Sequence, residues 1–352
     1  METGTQSIKS KKGEIEFREK LSLQQVNGER IFDDEYDRQG IEAILVERMR
    51  KTFKQMDLLR SQGIPISPYV EIGAERCQRS LVMENDLGAS GAAVDISHPS
   101  LSTCGYYAEK FAKKTLPLRL CCDAHNLPFL TDSIPFVFCY ETLHHFPDPT
   151  PIVKEVYRVL KPGGHFYFDE EPFKRYLHVG LYDGKKIYSK EALERDRVTM
   201  AVDYFFARRR CNEDDHSIVE NDQISIRTWR QALGLFEKKN VELSSIGPKT
   251  DLFSHQSPAR YLLAFLLGGG VSGLCRKSGV FNDNGISIDR RFRCPTCAES
   301  NNEAMLSQFE QGLHCSRCGK IYPIVEGVIF LLPDRTFREL YPIYMEKMKK
   351  VV

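Results

Sequence analysis

Four of the eleven cysteines carry the sharpest chemical signal in this 352-residue chain. Cys294-Pro-Thr-Cys297 and Cys315-Ser-Arg-Cys318 are two C-x-x-C pairs with 17 residues between them. Two knuckles at that spacing place four thiolates at the corners of a tetrahedron, the arrangement that holds structural Zn2+. Four sulfurs also close the coordination shell, so such a metal has no open position for catalysis. A redox C-x-x-C normally comes singly at a helix start, which disfavours that reading of the pairs.

A second set of candidate residues lies at the ends of short apolar runs. Glu71-Ile72-Gly73-Ala74 closes the first, where a glycine lets backbone approach a ligand at the next helix's N-terminus. Asp95-Ile96 ends GAAVD, and a carboxylate in that place can accept both hydroxyls of a ribose. Asp123-Ala124 follows LRLCC, where a carboxylate can accept from an adenine amino group. Cys139-Tyr140-Glu141-Thr142-Leu143-His144-His145 leaves PFVFCY into the space where a reacting group would lie. Singly, a strand-ending Asp also reads as a helix N-cap, and paired histidines also read as hydrogen-bonded structural groups. Together and in this order they describe a site for a nucleotide-like cofactor.

Positioning such residues requires a regular framework, and the chain supplies one. Residues 34–59 carry apolar side chains three or four apart, an amphipathic helix stopped by Gly63, Pro65 and Pro68. Apolar runs at 69–73, 91–95, 118–122, 135–140 and 165–169 then alternate with helical patterns at 76–87, 98–114 and 152–160. That alternation predicts an α/β fold, a Rossmann-like doubly wound, mainly parallel sheet whose ligands bind at the carboxyl ends of its strands. Residues 226–235 read as a further helix, 241–246 as a sixth strand and 271–277 as a seventh.

Composition excludes several classes. Hydrophobic residues at 41% and charged residues at 28% describe a globular chain with a full core. A net charge of +1 excludes a polycation that holds nucleic acid by charge alone, and equally an acidic disordered chain. The opening METGTQSIKSKK lacks an apolar core, so the expectation is a reducing cytoplasm, where thiols stay free or bind metal. The apolar run 261–275 holds four glycines and falls short of the ~20 residues of a membrane span, so it reads as a buried helix and turn, with no transmembrane segment. Arg208-Arg209-Arg210, close to Glu213-Asp214-Asp215, reads as a solvated helix and turn. Tyr204-Phe205-Phe206 reads as core or as the lining of a hydrophobic acceptor site.

Residues 65–172 resemble the class I S-adenosylmethionine-dependent methyltransferases of the type 11-like group. The resemblance is carried by VEIGAERC, GAAVDIS, CCDAHNLPF, FVFCYETLHHFPDP and EVYRVLKPGGHFYFDEEP. It implies that Glu71, Gly73 and Ala74 form the cofactor loop, and that Asp95 with Ile96 holds the ribose. It implies further that Asp123 with Ala124 faces the adenine, and that Cys139 and Tyr140 lie beside the methionine part. If the acceptor is a hydroxyl, a base must lie within hydrogen-bond reach, and His144 and His145 with Glu141 behind them are the candidates. Where the family repeats glycine in its loop, Glu75 and Cys77 stand here.

The C-terminal part resembles a small zinc-ribbon protein that activates and stabilises methyltransferases acting on transfer RNA, ribosomal RNA and release factors. That resemblance implies that VIFLL (328–332) is a strand laid against the methyltransferase surface, here within one chain. Between Asp289 and Lys320 five basic residues face four acidic ones, which favours a packing role over phosphate binding and leaves nucleic acid the lesser partner. The expected organisation is a loosely attached polar arm at 1–33 and a cofactor domain at 34–172. A cap and substrate region at 173–288, a zinc ribbon at 289–334 and a tail at 335–352 complete it. The expected activity is methyl transfer to a small, glycan-linked or lipid-linked acceptor. An RNA or protein methyltransferase guided by the ribbon is one alternative, and a non-catalytic scaffold, motivated by Glu75 and Cys77, is another.

Overall fold

The computed structural model describes residues 7–28, 38–186, 196–210, 217–219, 221–245, 249–254, 258–282, 285, 287–309 and 312–344. Two helices, α1 (Ile8–Ser22) and α2 (Arg38–Ser61), precede the sheet. Then β1 (Tyr69–Ile72), α3 (Gln78–Asn85), β2 (Gly91–Asp95), α4 (His98–Ser102), α5 (Cys104–Lys110) and β3 (Leu118–Cys121) follow. Next come β4 (Ile134–Tyr140), α6 (Thr150–Val159) and β5 (Leu160–Phe173). A second region holds β6 (Tyr182–Lys186), α7 (Arg197–Phe206), β7 (Ala207–Arg210), α8 (Ile226–Leu233), β8 (Lys238–Ser244), β9 (Thr250–Asp251), α9 (Pro258–Leu267) and β10 (Gly269–Arg276). The C-terminal region adds α10 (Pro295–Ala298), β11 (Leu306–Phe309), β12 (Gly312–Cys315), β13 (Ile321–Val325), β14 (Val328–Phe330) and α11 (Asp334–Leu340).

Twelve strands form one sheet in the order β11-β12-β13-β14-β3-β2-β1-β4-β5-β10-β8-β9. Every residue of β1 and β4 is buried, which is why both read as unbroken apolar runs rather than as alternations. Helix α6 buries Ile152, Val153, Val156 and Val159 against one face of the sheet. On that face Trp229 of α8 stacks on Phe168 of β5, with ring centroids 5.7 Å apart. Met49 and Met56 of α2 and Val82 and Met83 of α3 pack on the other face, against Tyr69, Phe136 and Phe138. The expected sixth and seventh strands are β8 and β10, and β10 runs antiparallel to both of its neighbours.

The far edge is closed from the C-terminal region. Strand β14 pairs in parallel with β3, register Val328↔Arg119, Ile329↔Leu120 and Phe330↔Cys121, so VIFLL does lie as a strand on the sheet. Beyond it, α11 is no free tail, because Phe337, Leu340 and Tyr341 are buried. The Tyr341 hydroxyl accepts from the His98 N–H at 3.0 Å, tying this segment to the start of α4.

Three expectations are corrected. Residues 8–22 are not a loose arm: α1 is capped by Ser7 and buries Ile15, Phe17 and Leu21. Its apolar side chains are few, but its charged ones find partners in the sheet domain, so low hydropathy concealed a docked helix. The helix expected at 98–114 is two, broken at Thr103, whose hydroxyl donates to the Ser100 carbonyl at 2.7 Å. Helix α9 is not buried; Ala264 is, while Leu262 and Leu263 face solvent. The side chains of Arg209 and Arg210 and the acidic run 213–215 lie outside the described residues, as do Cys211 and the end of the chain from residue 345.

Candidate functional site

A pocket opens at the carboxyl ends of β1, β2 and β3. Of the predicted cofactor residues it is lined by Gly73, Asp95, Ile96, Asp123 and Ala124. Gly73 has φ +70°, and a Cβ there would stand 2.3 Å from the Thr142 hydroxyl oxygen, so no other residue fits. Asp95 is held by two backbone donors, Glu75 N–H to Oδ2 at 2.9 Å and Ser97 N–H to Oδ1 at 2.8 Å. Burial outweighs those bonds and pushes its carboxyl up to about 6. Asp123 is equally buried, yet His125 and Lys11 hold its carboxyl well below the usual range. The Lys11 Nζ–Asp123 Oδ2 distance is 2.5 Å, and Lys11 comes from α1.

Four predicted residues support the pocket without lining it. Glu71 is fully buried and accepts from the Ser80 hydroxyl at 2.5 Å, with burial pushing its carboxyl up to about 7. Ala74 is buried and donates its N–H to the Val94 carbonyl at 3.0 Å. Cys139 sits in the apolar core. Tyr140 points to the α2 side, where its hydroxyl donates to Gln55 at 2.7 Å and the Arg79 guanidinium lies over its ring.

His144 and His145 stand side by side, ring centroids 4.5 Å apart, on the turn after β4. His145 lines the pocket and its Nδ1 lies 3.3 Å from the Val219 carbonyl. Glu141 does not back the histidines; its carboxylate accepts from Arg48 of α2 at 2.6 Å. The acid behind them is Glu171, which sequence reasoning missed. Fully buried, it accepts the N–H groups of Thr142, Leu143 and His144 at 2.8, 2.9 and 3.1 Å. His144 Nδ1 lies 2.9 Å from the same carboxylate, which fixes the ring as a carboxylate orients a histidine elsewhere. Its signal was its place at the end of β5, in DEEP, level with the histidine turn.

Glu75, the acid where the family has glycine, is neutralised rather than exposed. Arg18 reaches it at 3.0 Å and Arg48 at 3.5 Å, Arg76 pairs with it as well, and its carboxyl is held far below the usual range against the cost of burial.

The other candidate site is formed as expected. The sulfurs of Cys294, Cys297, Cys315 and Cys318 all lie within 4.8 Å of one another. Cys294 and Cys318 are 3.6 Å apart and Cys297 and Cys315 3.8 Å. Thiolates ~2.3 Å from a common tetrahedral centre stand about 3.8 Å apart, so the set fits one zinc ion. Tyr322, also missed, places its hydroxyl 3.0 Å from the Cys294 sulfur.

Comparison with known proteins gives matches to part of the chain. Residues 70–168, which supply most of the pocket lining, match the family described as a methyltransferase domain. An uncharacterised chloroplastic methyltransferase of Arabidopsis thaliana is 31% identical over 125 residues, 32% of this chain and 35% of that protein. An arsenite methyltransferase of Aquipseudomonas alcaligenes is 27% identical over 165 residues, 45% of this chain and 47% of that protein. The chain thus spans less than half the length of these curated relatives. Among solved structures, a complex of the Haloferax volcanii Trm112 methyltransferase activator with a methyltransferase aligns at 16% identity and a TM-score of 0.39, covering 71% of this chain and 100% of that one.

Proposed function

We propose that this chain is an S-adenosylmethionine-dependent methyltransferase with a structural zinc ribbon packed on the edge of its own sheet. The observation that carries the reading is the pocket: glycine and two acids meet at three adjacent strand ends, inside a segment that matches a methyltransferase domain. Asp95 offers carboxylate oxygens to the ribose diol, Asp123 with Ala124 stands where the adenine would lie, and Gly73 lets backbone approach the ligand. The cofactor supplies a methyl group already activated on a sulfonium, so the protein's contribution is alignment and exclusion of water. Phe146 and Thr142 border the same pocket and His145 faces into it. For a hydroxyl acceptor, His145 and His144 are the residues to take its proton, with Glu171 holding His144 in place.

A small acceptor, free or carried on a glycan or lipid, is the reading favoured for the substrate. Its support is the apolar exterior of the second region, where Leu177, Val179, Leu181, Val198, Leu262 and Leu263 are exposed. The zinc ribbon's β14 and following segment are engaged with β3 and α4, which supports packing over recruitment of RNA or protein. The three arginines on Glu75 remove the charge argument for a scaffold that has lost its cofactor. Among the described residues no helix is long and apolar enough to cross a membrane. Isothermal titration with S-adenosylmethionine should give saturable binding to the zinc-loaded chain; absence of binding would overturn the enzyme reading. Replacing both histidines without loss of transfer to the true acceptor would remove them from the chemistry.

A further inference from the structure

Helix α1 brings into the pocket a carboxylate with one oxygen that no described residue satisfies. Glu14 lines the pocket with Gly73 and Asp95 and is 8% exposed. One of its oxygens accepts from Arg18 Nε at 2.8 Å. The other, Oε2, is buried and has no hydrogen-bond partner among the described residues. Leaving a buried acceptor unmatched is costly, and native proteins keep such groups where a ligand completes them. Nor is Glu14 there by slack in the chain. Its helix is pinned by Lys11 to Asp123 and by Arg18 to Glu75. Ile15 packs in the cluster that holds Val328, Phe330 and Tyr341.

We propose that α1 is a wall of the cofactor site and that Glu14 Oε2 accepts a hydrogen bond from the bound cofactor. This rests on reading the pocket as an S-adenosylmethionine site. The cofactor carries two kinds of donor that a carboxylate takes: the ribose hydroxyls, beside Asp95, and the α-ammonium of its methionine part. No proton changes hands; Glu14 Oε2 gains a partner.

The test is calorimetry on the full zinc-loaded chain with S-adenosylhomocysteine and with 5′-methylthioadenosine, which keeps the ribose and lacks the ammonium. Glu14→Ala and Glu14→Gln should each weaken S-adenosylhomocysteine by about tenfold or more, the size of one hydrogen bond to a charged group. If both ligands weaken alike, the donor is a ribose hydroxyl; if only S-adenosylhomocysteine weakens, it is the ammonium. The melting temperature of the free Glu14→Gln chain should be equal to or above that of the parent, since the substitution replaces a carboxylate that has one unmatched buried oxygen with a neutral amide that can still accept from Arg18. A purely structural Glu14 would instead lower it and leave affinity in the folded chain untouched. Equal affinity of parent and both variants overturns the inference and leaves the cofactor reading intact. No binding by the parent overturns both.

Discussion

In the cysteine cluster the ligands come from two short turns, Cys294 and Cys318 being 24 residues apart in sequence. In the pocket, Lys11 reaches Asp123 across 112 residues, and the lining comes from three strand ends, the turn after β4 and a helix near the start of the chain. The first site needs little of the fold but depends on a metal to balance its thiolates. The second needs no metal to exist but depends on sheet register, because a slip of one residue would turn Asp95 away from it. Chemistry is therefore local in one region and topological in the other.

The largest test of that contrast is Cys315→Ser. Bound zinc should fall from about one equivalent to near none, and amides of Val328–Phe330 should lose hydrogen-exchange protection as β14 leaves β3. Retention of zinc by the variant would end the claim that the cluster depends on all four sulfurs. Next is Gly73→Ala on the topological side. Its Cβ collides with Thr142 in a left-handed backbone, so urea unfolding should show a loss of about 1–3 kcal/mol, with cofactor affinity falling too. A loss within about 0.5 kcal/mol would mean that the loop adapts.

The third test uses pH. Glu71 titrates at about 7 in the fold against an ordinary 4.5. A carboxylate raised on folding stabilises below its unfolded value and loses that stabilisation as pH rises through the folded one. Parent stability should therefore decline between pH 4.5 and about 7, and Glu71→Gln should flatten the decline and exceed the parent above it, by roughly 1–3 kcal/mol. Asp95, raised to about 6, contributes a decline of the same sign that the variant keeps. Parallel pH profiles for the two proteins would show that Glu71 ionises freely. The smallest effect is expected from Tyr322→Phe, which takes the hydroxyl from Cys294 and should weaken zinc by about tenfold in a chelator competition. Unchanged affinity would leave Tyr322 a packing residue.

What could be read without coordinates follows the same division. The knuckle spacing was enough to expect the four sulfurs together, and strand-end positions were enough to expect Gly73, Asp95 and Asp123 around one pocket, because parallel strands put their carboxyl ends together. Glu71, Cys139 and Tyr140 sit in the same motifs but alternate to the wrong side or lie beneath the loop, a distinction that side-chain direction decides and motif order does not. Lys11 and Glu14 were illegible for another reason. Their helix is polar, and it is buried through ion pairs with acids far along the chain, so no local pattern marks it as part of the core. Glu171 and Tyr322 act through neighbours that only the folded sheet and ribbon bring to them.

The parallel pairing of β14 with β3 also sets an order of events in biosynthesis. More than 200 residues separate the two strands, so β3 emerges from the ribosome long before the strand that covers it. At ~5–20 residues per second, its edge stays open for roughly 10–40 s. An open edge of a parallel sheet is a template for pairing with other chains. Nascent chains, and any fragment ending before Val328, should therefore be the aggregation-prone forms of this protein.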